Sequence, residues 1–195
     1  MRLALVRHAE AAEEIRGRCY GTLDVGLSDE GRAQSLTLAE AFRRAPLTKV
    51  VSSPAARARE TAAAVAAPHR LEVEIFEHLR ELDFGELEGR AYDEIAVSDP
   101  ELYEQWMSAP TTVRFPGGEA YADLEARANK AVARLVERQG LVVAVTHGGV
   151  VRAVLRRILE LPPERIFRLA IDPASVTTVE WVDGEPLVRV VNSRP

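Results

Sequence analysis

The chain has 195 residues, enough for one ordinary domain with a real hydrophobic core and too few for two comfortable ones. Hydrophobic residues make up 47% and charged residues 28%, with 12 Gly and 11 Pro scattered along it, which excludes disordered, collagen-like and low-complexity chains. An excess of 30 acidic over 25 basic residues gives a formal charge of −5, the wrong sign for a nucleic-acid surface, and no apolar run approaches the ~20 residues of a membrane span.

Met1-Arg2-Leu3-Ala4-Leu5-Val6 lacks the long apolar stretch of a secretory leader, and lone Cys19 has no thiol to pair with, so a soluble cytoplasmic protein is expected. Leu3 to Val6 is a short apolar run bounded by charge, the mark of a strand buried on both faces. Ser28 to Arg44 reads as a helix, with Ser28 as N-cap and Ala33, Leu36, Leu38, Ala39 and Phe42 as apolar positions. Val50-Val51 repeats the strand signal, and Pro54 to Ala67 follows as a second helix. Gly89 to Gly118, carrying Tyr92, Tyr103, Trp106, Pro110 and Pro116, is less regular and is expected to cap the active rim within a single domain over 1–195.

Glu119 to Gln139 then forms a long helix ended by Gly140, Leu141 to Val145 is the clearest buried strand, and Val150 to Leu159 is a further helix. Ser175 to Val182 and Leu187 to Val191 read as a closing hairpin across Asp183-Gly184-Glu185-Pro186. Strands alternating with helices predict an α/β fold: a three-layer α/β/α sandwich around a mostly parallel sheet.

In such sheets ligands bind beyond the carboxyl ends of the parallel strands, and two of the four histidines stand there. His8 follows the first strand beside Arg7, and His147 follows Leu141–Val145, ahead of a Gly148-Gly149 turn that opens a helix. Arg57 is expected in the first turn of the helix after the second strand, at the same rim. Two guanidinium groups and a helix N-terminus make an anion cradle suited to phosphate. His69 and His78 have no comparable partners and read as surface residues. Glu77, Glu81, Asp83, Glu86 and Glu88 crowd one stretch, and composition alone does not choose an acid among them.

The motifs resemble those of the histidine phosphatase superfamily, the branch that includes cofactor-dependent phosphoglycerate mutase. Arg7-His8-Ala9-Glu10 resembles its Arg-His-Gly signature, and Gly21-Thr22-Leu23-Asp24 through Gly31 its next block. Ser52 to Thr61 resembles its second-arginine helix, Glu81 to Gly85 with Glu88-Gly89 its acid-bearing loop, and Thr146-His147-Gly148-Gly149 its second-histidine motif. Ala9 departs from the commoner Gly, and Leu87 stands where Trp is frequent.

The resemblance implies a phosphoglycerate mutase-like fold and assigns roles. His8 becomes the nucleophile that forms a phosphohistidine, its other ring nitrogen held by a backbone carbonyl. Arg7, Arg57 and a protonated His147 neutralise the phosphoryl oxygens, and Glu81 is the general acid and then base. Gly148, Thr22 and Glu10 are further substrate contacts. No cofactor is expected, and with guanidinium groups supplying positive charge and no zinc-type spacing present, hydrolysis is expected to be metal-independent.

Within the family, mutases are usually longer, so a phosphatase is favoured. Gly17 to Gly21, Asp24-Val25 and Phe115 to Glu119 resemble the α-ribazole phosphatases of cobalamin synthesis, a pattern shared with broad-specificity phosphatases and fructose-2,6-bisphosphatases. Tyr20, Tyr92, Tyr103 and Trp106 either stack on a ribazole base or pack the cap. A phosphoglycerate mutase and a non-catalytic phosphate-ester binder are the alternatives. The expected partner is a small phosphate ester, with neither nucleic acid nor membrane, in a monomer or homodimer.

Overall fold

Four strands fall side by side as the parallel part of one sheet in the computed structural model, which describes residues 1–195. The strands are β1 (Arg2–Arg7), β2 (Leu47–Ser52), β3 (Val73–Ile75), β4 (Leu141–Thr146), β5 (Val176–Val182) and β6 (Glu185–Ser193), in the order β3-β2-β4-β1-β5-β6. β3, β2, β4 and β1 run parallel, and β5 and β6 add antiparallel strands beyond β1. Six helices accompany them: α1 (Asp29–Phe42), α2 (Ala56–Ala66), α3 (Tyr92–Ser98), α4 (Pro100–Ser108), α5 (Tyr121–Val136) and α6 (Gly148–Ile158).

The central strands are apolar at every position because both faces are covered. Leu3, Leu5, Val51, Val142 and Ala144 share a core with Leu124, Ala128, Ala131 and Leu135 of α5 and Val151, Val154 and Leu155 of α6. The alternate residues Ala4, Val6, Val50, Val143 and Val145 pack with Leu38 of α1 and Ala58, Ala62 and Val65 of α2. The result is the expected three-layer sandwich. Each fully buried Leu or Val contributes about 1.5–3 kcal/mol by leaving water. No helix is long and apolar enough to cross a membrane.

Local signals hold where they are strong. Ser28 caps α1 by accepting the Gly31 N–H at 2.9 Å. Asp183 and Gly184 have φ of 52° and 88°, the left-handed pair of a two-residue hairpin turn, so Glu185 and Pro186 belong to β6 and not to the loop. Pro186 is tolerated because β6 is an edge strand and its missing N–H breaks no inner ladder.

Several boundaries differ from the sequence expectation. β2 extends back to Leu47, and β3 is an unexpected three-residue edge strand, too short for a period to register. α2 starts at Ala56, and α5 starts at Tyr121, leaving Glu119 free of the helix. α6 starts at Gly148, two residues early, which makes His147 its N-cap. Finally, the irregular segment 89–118 contains α3 and α4.

Candidate active site

The sheet register brings the two histidines together. Arg7 of β1 pairs with Thr146 of β4, so the next residues on each strand, His8 and His147, leave the sheet side by side. Their ring centroids lie 5.0 Å apart, close to the ~4.8 Å spacing of neighbouring strands. β2 pairs on the other side of β4 and delivers Ser53 to the same rim, where its N–H donates to Val145 O at 2.9 Å.

Each ring is held in one tautomer. His8 Nδ1 lies 2.7 Å from Ala9 O, and since a carbonyl only accepts, that nitrogen carries the proton. The Nε2 lone pair is left facing the Arg57 Nε–H at 3.3 Å. On His147 the order is reversed. Arg57 Nη2 donates towards Nδ1 at 3.4 Å, and the Nε2–H donates to Ser53 Oγ at 2.7 Å. Burial, then the charges of Arg57 and Arg7, holds the His8 pKa well below the usual imidazole range, against a smaller opposing pull from the Ala9 carbonyl. Burial, then Arg57, His8 and Arg7, does the same for His147. A third positive charge in this dry pocket, beside two guanidinium groups, disfavours protonation of His147 before phosphate binds.

Arg57, in the first turn of α2, is 0% exposed and sits at the hub. Its Nη1 donates to Leu23 O at 2.8 Å, and its Nη2 to Gly21 O at 2.8 Å and Tyr20 O at 3.3 Å, with the Tyr20 ring 5.1 Å from its carbon. The loop that supplies these carbonyls is itself held by Glu88, whose carboxylate accepts the N–H groups of Gly21, Thr22, Leu23 and Phe84 at 2.9–3.4 Å. Arg7 Nη1 donates to Ile171 O at 2.5 Å, while its buried Nε–H meets no acceptor. Neither Arg7 nor Arg57 forms an ion pair with a carboxylate, although thirteen such pairs occur elsewhere. A fully buried and a half-buried cation without a carboxylate partner make the pocket a receptor for an anion.

Glu81 stands at the N-terminus of α6. Its Oε2 accepts the Gly149 N–H at 3.1 Å and its Oε1 the Leu82 N–H at 3.0 Å. Gly149 is needed for this approach, because a Cβ there would lie 2.3 Å from Oε1. The N–H of Gly149 therefore serves the carboxyl rather than a phosphate, contrary to the sequence expectation. Of the five acids crowded in this stretch, only Glu81 lines the cavity of about 150 Å³ formed with Arg7, His8, Tyr20, Arg57, Phe84, Tyr92 and His147. Glu88 is committed to the loop, Asp83 accepts the Gly85 N–H, and Glu77 and Glu86 are exposed.

Other expected contacts lie outside this cavity. Thr22 is exposed, and Gly148 packs against Arg7 and Arg152. Glu10 accepts from Ser28 Oγ and pairs with Arg16 at 3.3 Å, lining an adjoining hollow of about 90 Å³ that shares His8 and Tyr20. Tyr20 and Tyr92 wall the cavity, whereas Trp106 packs edge-on against Phe115, 5.0 Å away, and Tyr103 packs on the core. Burial pushes the Tyr92 phenol up to about 12, so its hydroxyl stays a donor. His69 and His78 are remote, His69 bonding Phe42 O at 3.1 Å. Cys19 is buried, its thiol pushed up to about 12 by burial. No group of three or more His, Cys, Asp or Glu side chains is placed to hold a metal ion.

Sequence reasoning passed over Ser53, although it follows β2 as His8 follows β1 and His147 follows β4. It also passed over Arg152, whose Nη1 would lie 3.0 Å from a Cβ on Gly148, one helical turn away on the same face of α6.

Comparison with known proteins adds to this geometry. The family described as the histidine phosphatase superfamily (branch 1) matches residues 3–194. The chain is 33% identical over 195 residues to a bifunctional protein of Mycobacterium tuberculosis, covering 98% of this chain and 53% of that protein. It thus spans about half the length of that bifunctional protein. Among solved structures it is similar to the α-ribazole phosphatase of Shigella flexneri, with a TM-score of 0.90, 28% identity and coverage of 100% and 97% of the two chains. It is also similar to a mycobacterial glucosyl-3-phosphoglycerate phosphatase, with a TM-score of 0.87, 29% identity and 98% coverage of both chains.

Proposed function

We propose that this chain, which belongs to branch 1 of the histidine phosphatase superfamily, hydrolyses small phosphate monoesters through a covalent intermediate on His8. The observation that carries the reading is the pairing of a tautomer-locked His8 Nε2 with the fully buried Arg57 and the half-buried Arg7, neither of which has a carboxylate of its own. Neutral His8 attacks phosphorus in line as the ester oxygen departs, giving a phosphohistidine. Arg7 and Arg57 offset the charge on the equatorial oxygens, and the incoming dianion favours protonation of His147, which then adds a donor. Glu81 hands its proton to the leaving alkoxide. As carboxylate it next takes a proton from the water that attacks the phosphohistidine, releasing phosphate and restoring His8.

Guanidinium groups supply the positive charge here, so turnover should be indifferent to chelators. For the substrate we favour an α-ribazole phosphate, because Tyr20, Phe84 and Tyr92 offer aromatic surface beside the phosphate-binding groups and the chain is similar to the Shigella flexneri enzyme. Similarity to the mycobacterial phosphatase makes glucosyl-3-phosphoglycerate the necessary competitor in any assay.

The test is phosphate release from an aryl phosphate with and without EDTA, followed by a panel containing α-ribazole phosphate, glucosyl-3-phosphoglycerate and 3-phosphoglycerate. Chelator-resistant release and an acid-labile adduct on His8 are expected. Absence of release from every ester would leave a binding protein, and fast interconversion of phosphoglycerates without release would make it a mutase.

A further inference from the structure

The geometry points to Arg127 as the positioning residue for the Glu81 carboxyl, acting through a clamp made with Glu119; this rests on Glu81 being the general acid. Arg127 lies on α5, is only 8% exposed and does not line the catalytic cavity. All five of its N–H groups find acceptors. Nη1 donates to His78 O at 3.3 Å and to Arg80 O. Nη2 donates to Glu81 O at 2.8 Å and Glu119 Oε2 at 2.8 Å, and Nε to Glu119 Oε1 at 3.0 Å. One guanidinium thus gathers three carbonyls of the segment 78–81 onto a single helix.

Glu119 completes the clamp from the other side. Its Oε2 accepts the Asp83 N–H at 3.2 Å, its own N–H donates to Asp83 O at 2.9 Å, and its Oε1 accepts both terminal nitrogens of Arg80. Against burial, which would raise it, the bonds and charge of Arg127 hold the Glu119 carboxyl below the usual carboxylate range. The main chain on both sides of Glu81 is therefore tied to α5, before it directly through Arg127 and after it through Glu119, which Arg127 holds, while the Glu81 carboxyl is tied to α6 through Gly149. Because the acid must meet the ester oxygen at hydrogen-bond range, the α5 anchor sets where it stands.

A scaffold residue with no link to the acid would slow every substrate alike when removed; a positioning residue for the acid slows only esters that need a proton on departure. The experiment measures kcat/KM, which reports steps up to the first release, for 4-nitrophenyl phosphate and for an alkyl phosphate. The proteins compared are wild type, Glu81→Gln, Arg127→Met, Glu119→Gln and the Glu81→Gln/Arg127→Met double variant. Arg127→Met is expected to lose about 100-fold on the alkyl ester, the scale of an ångström misplacement, and only a few-fold on the aryl ester. In the Glu81→Gln background its added loss should vanish. Should Arg127→Met not fold, Glu119→Gln carries the same expectation, with thermal unfolding recorded for each. Equal losses on both esters, or additive losses in the double variant, overturn the inference alone, provided Glu81→Gln itself discriminates between the esters. If Glu81→Gln slows both esters equally, the acid role falls, and this inference with it.

Discussion

Replacing Gly149 with Ala is the sharpest test of the site, because it adds one methyl group and touches one functional atom. The new Cβ would lie 2.3 Å from Glu81 Oε1, where ordinary contact begins at 3.4 Å. The carboxyl must retreat by about 1 Å, and a misplacement of that size costs about 100-fold in rate, equivalent to about 2.7 kcal/mol of barrier. The fold should barely notice. Gly149 is helical, so Ala gains up to ~1 kcal/mol of helix propensity, which offsets the ~1 kcal/mol of the Gly149 N–H···Glu81 bond that is lost. Leu124 Cδ1, 3.3 Å from the new methyl, needs to move only a few tenths of an ångström. Steady-state kcat/KM on an alkyl phosphate, set beside thermal denaturation, separates the two effects. A large loss of alkyl-ester turnover with an unchanged melting temperature is expected. Wild-type turnover of the alkyl ester would show that Glu81 does not act from the position described.

Three further outcomes follow from the same geometry. His8→Ala should abolish both turnover and the acid-labile phosphoprotein seen on rapid acid quench, and retention of most activity would refute His8 as nucleophile. Arg57→Lys keeps the charge but cannot hold Leu23, Tyr20, Gly21 and both imidazoles at once, so kcat should fall about 10²–10³-fold, as for removal of one transition-state donor; a change confined to KM would mean that Arg57 only binds. Folded His8 and His147 resist protonation, so below about pH 6.5 the unfolded chain takes up protons that the native chain refuses. Stability should then fall as pH drops, by up to ~1.4 kcal/mol per unit for each histidine. Urea titrations from pH 7 to 5 should show a shallower decline for His147→Gln, and an unchanged slope would contradict the neutral assignment.

Much of the fold was legible along the chain because its cues are local. Leu3–Val6 and Leu141–Val145 are apolar at every position since each lies in a sheet covered on both faces, and that needs no knowledge of neighbours to recognise. Ser28 as a cap and Asp183-Gly184 as a hairpin turn depend on backbone chemistry within a few residues. The residues of the site were legible for a different reason: motif resemblance fixed their identities, and four of them, His8, His147, Arg57 and Glu81, converge with Arg7 on one cavity.

What tertiary structure alone decided concerns pairs far apart in sequence. The pairing of Arg7 with Thr146 sets the 5.0 Å between imidazoles, and that register belongs to two strands jointly. Protonation of His147 is disfavoured because burial and the charges of Arg57, Arg7 and Arg127 act together, which its flanking residues do not reveal. Glu81 differs from four nearby acids only in where α6 begins and in the missing Cβ of Gly149. Local sequence determined which segments are buried and where they turn, since those preferences act over a few residues. Long-range packing decided which charges share a dry space, since electrostatic and hydrogen-bond energies depend on distances that only the assembled sheet and helices establish.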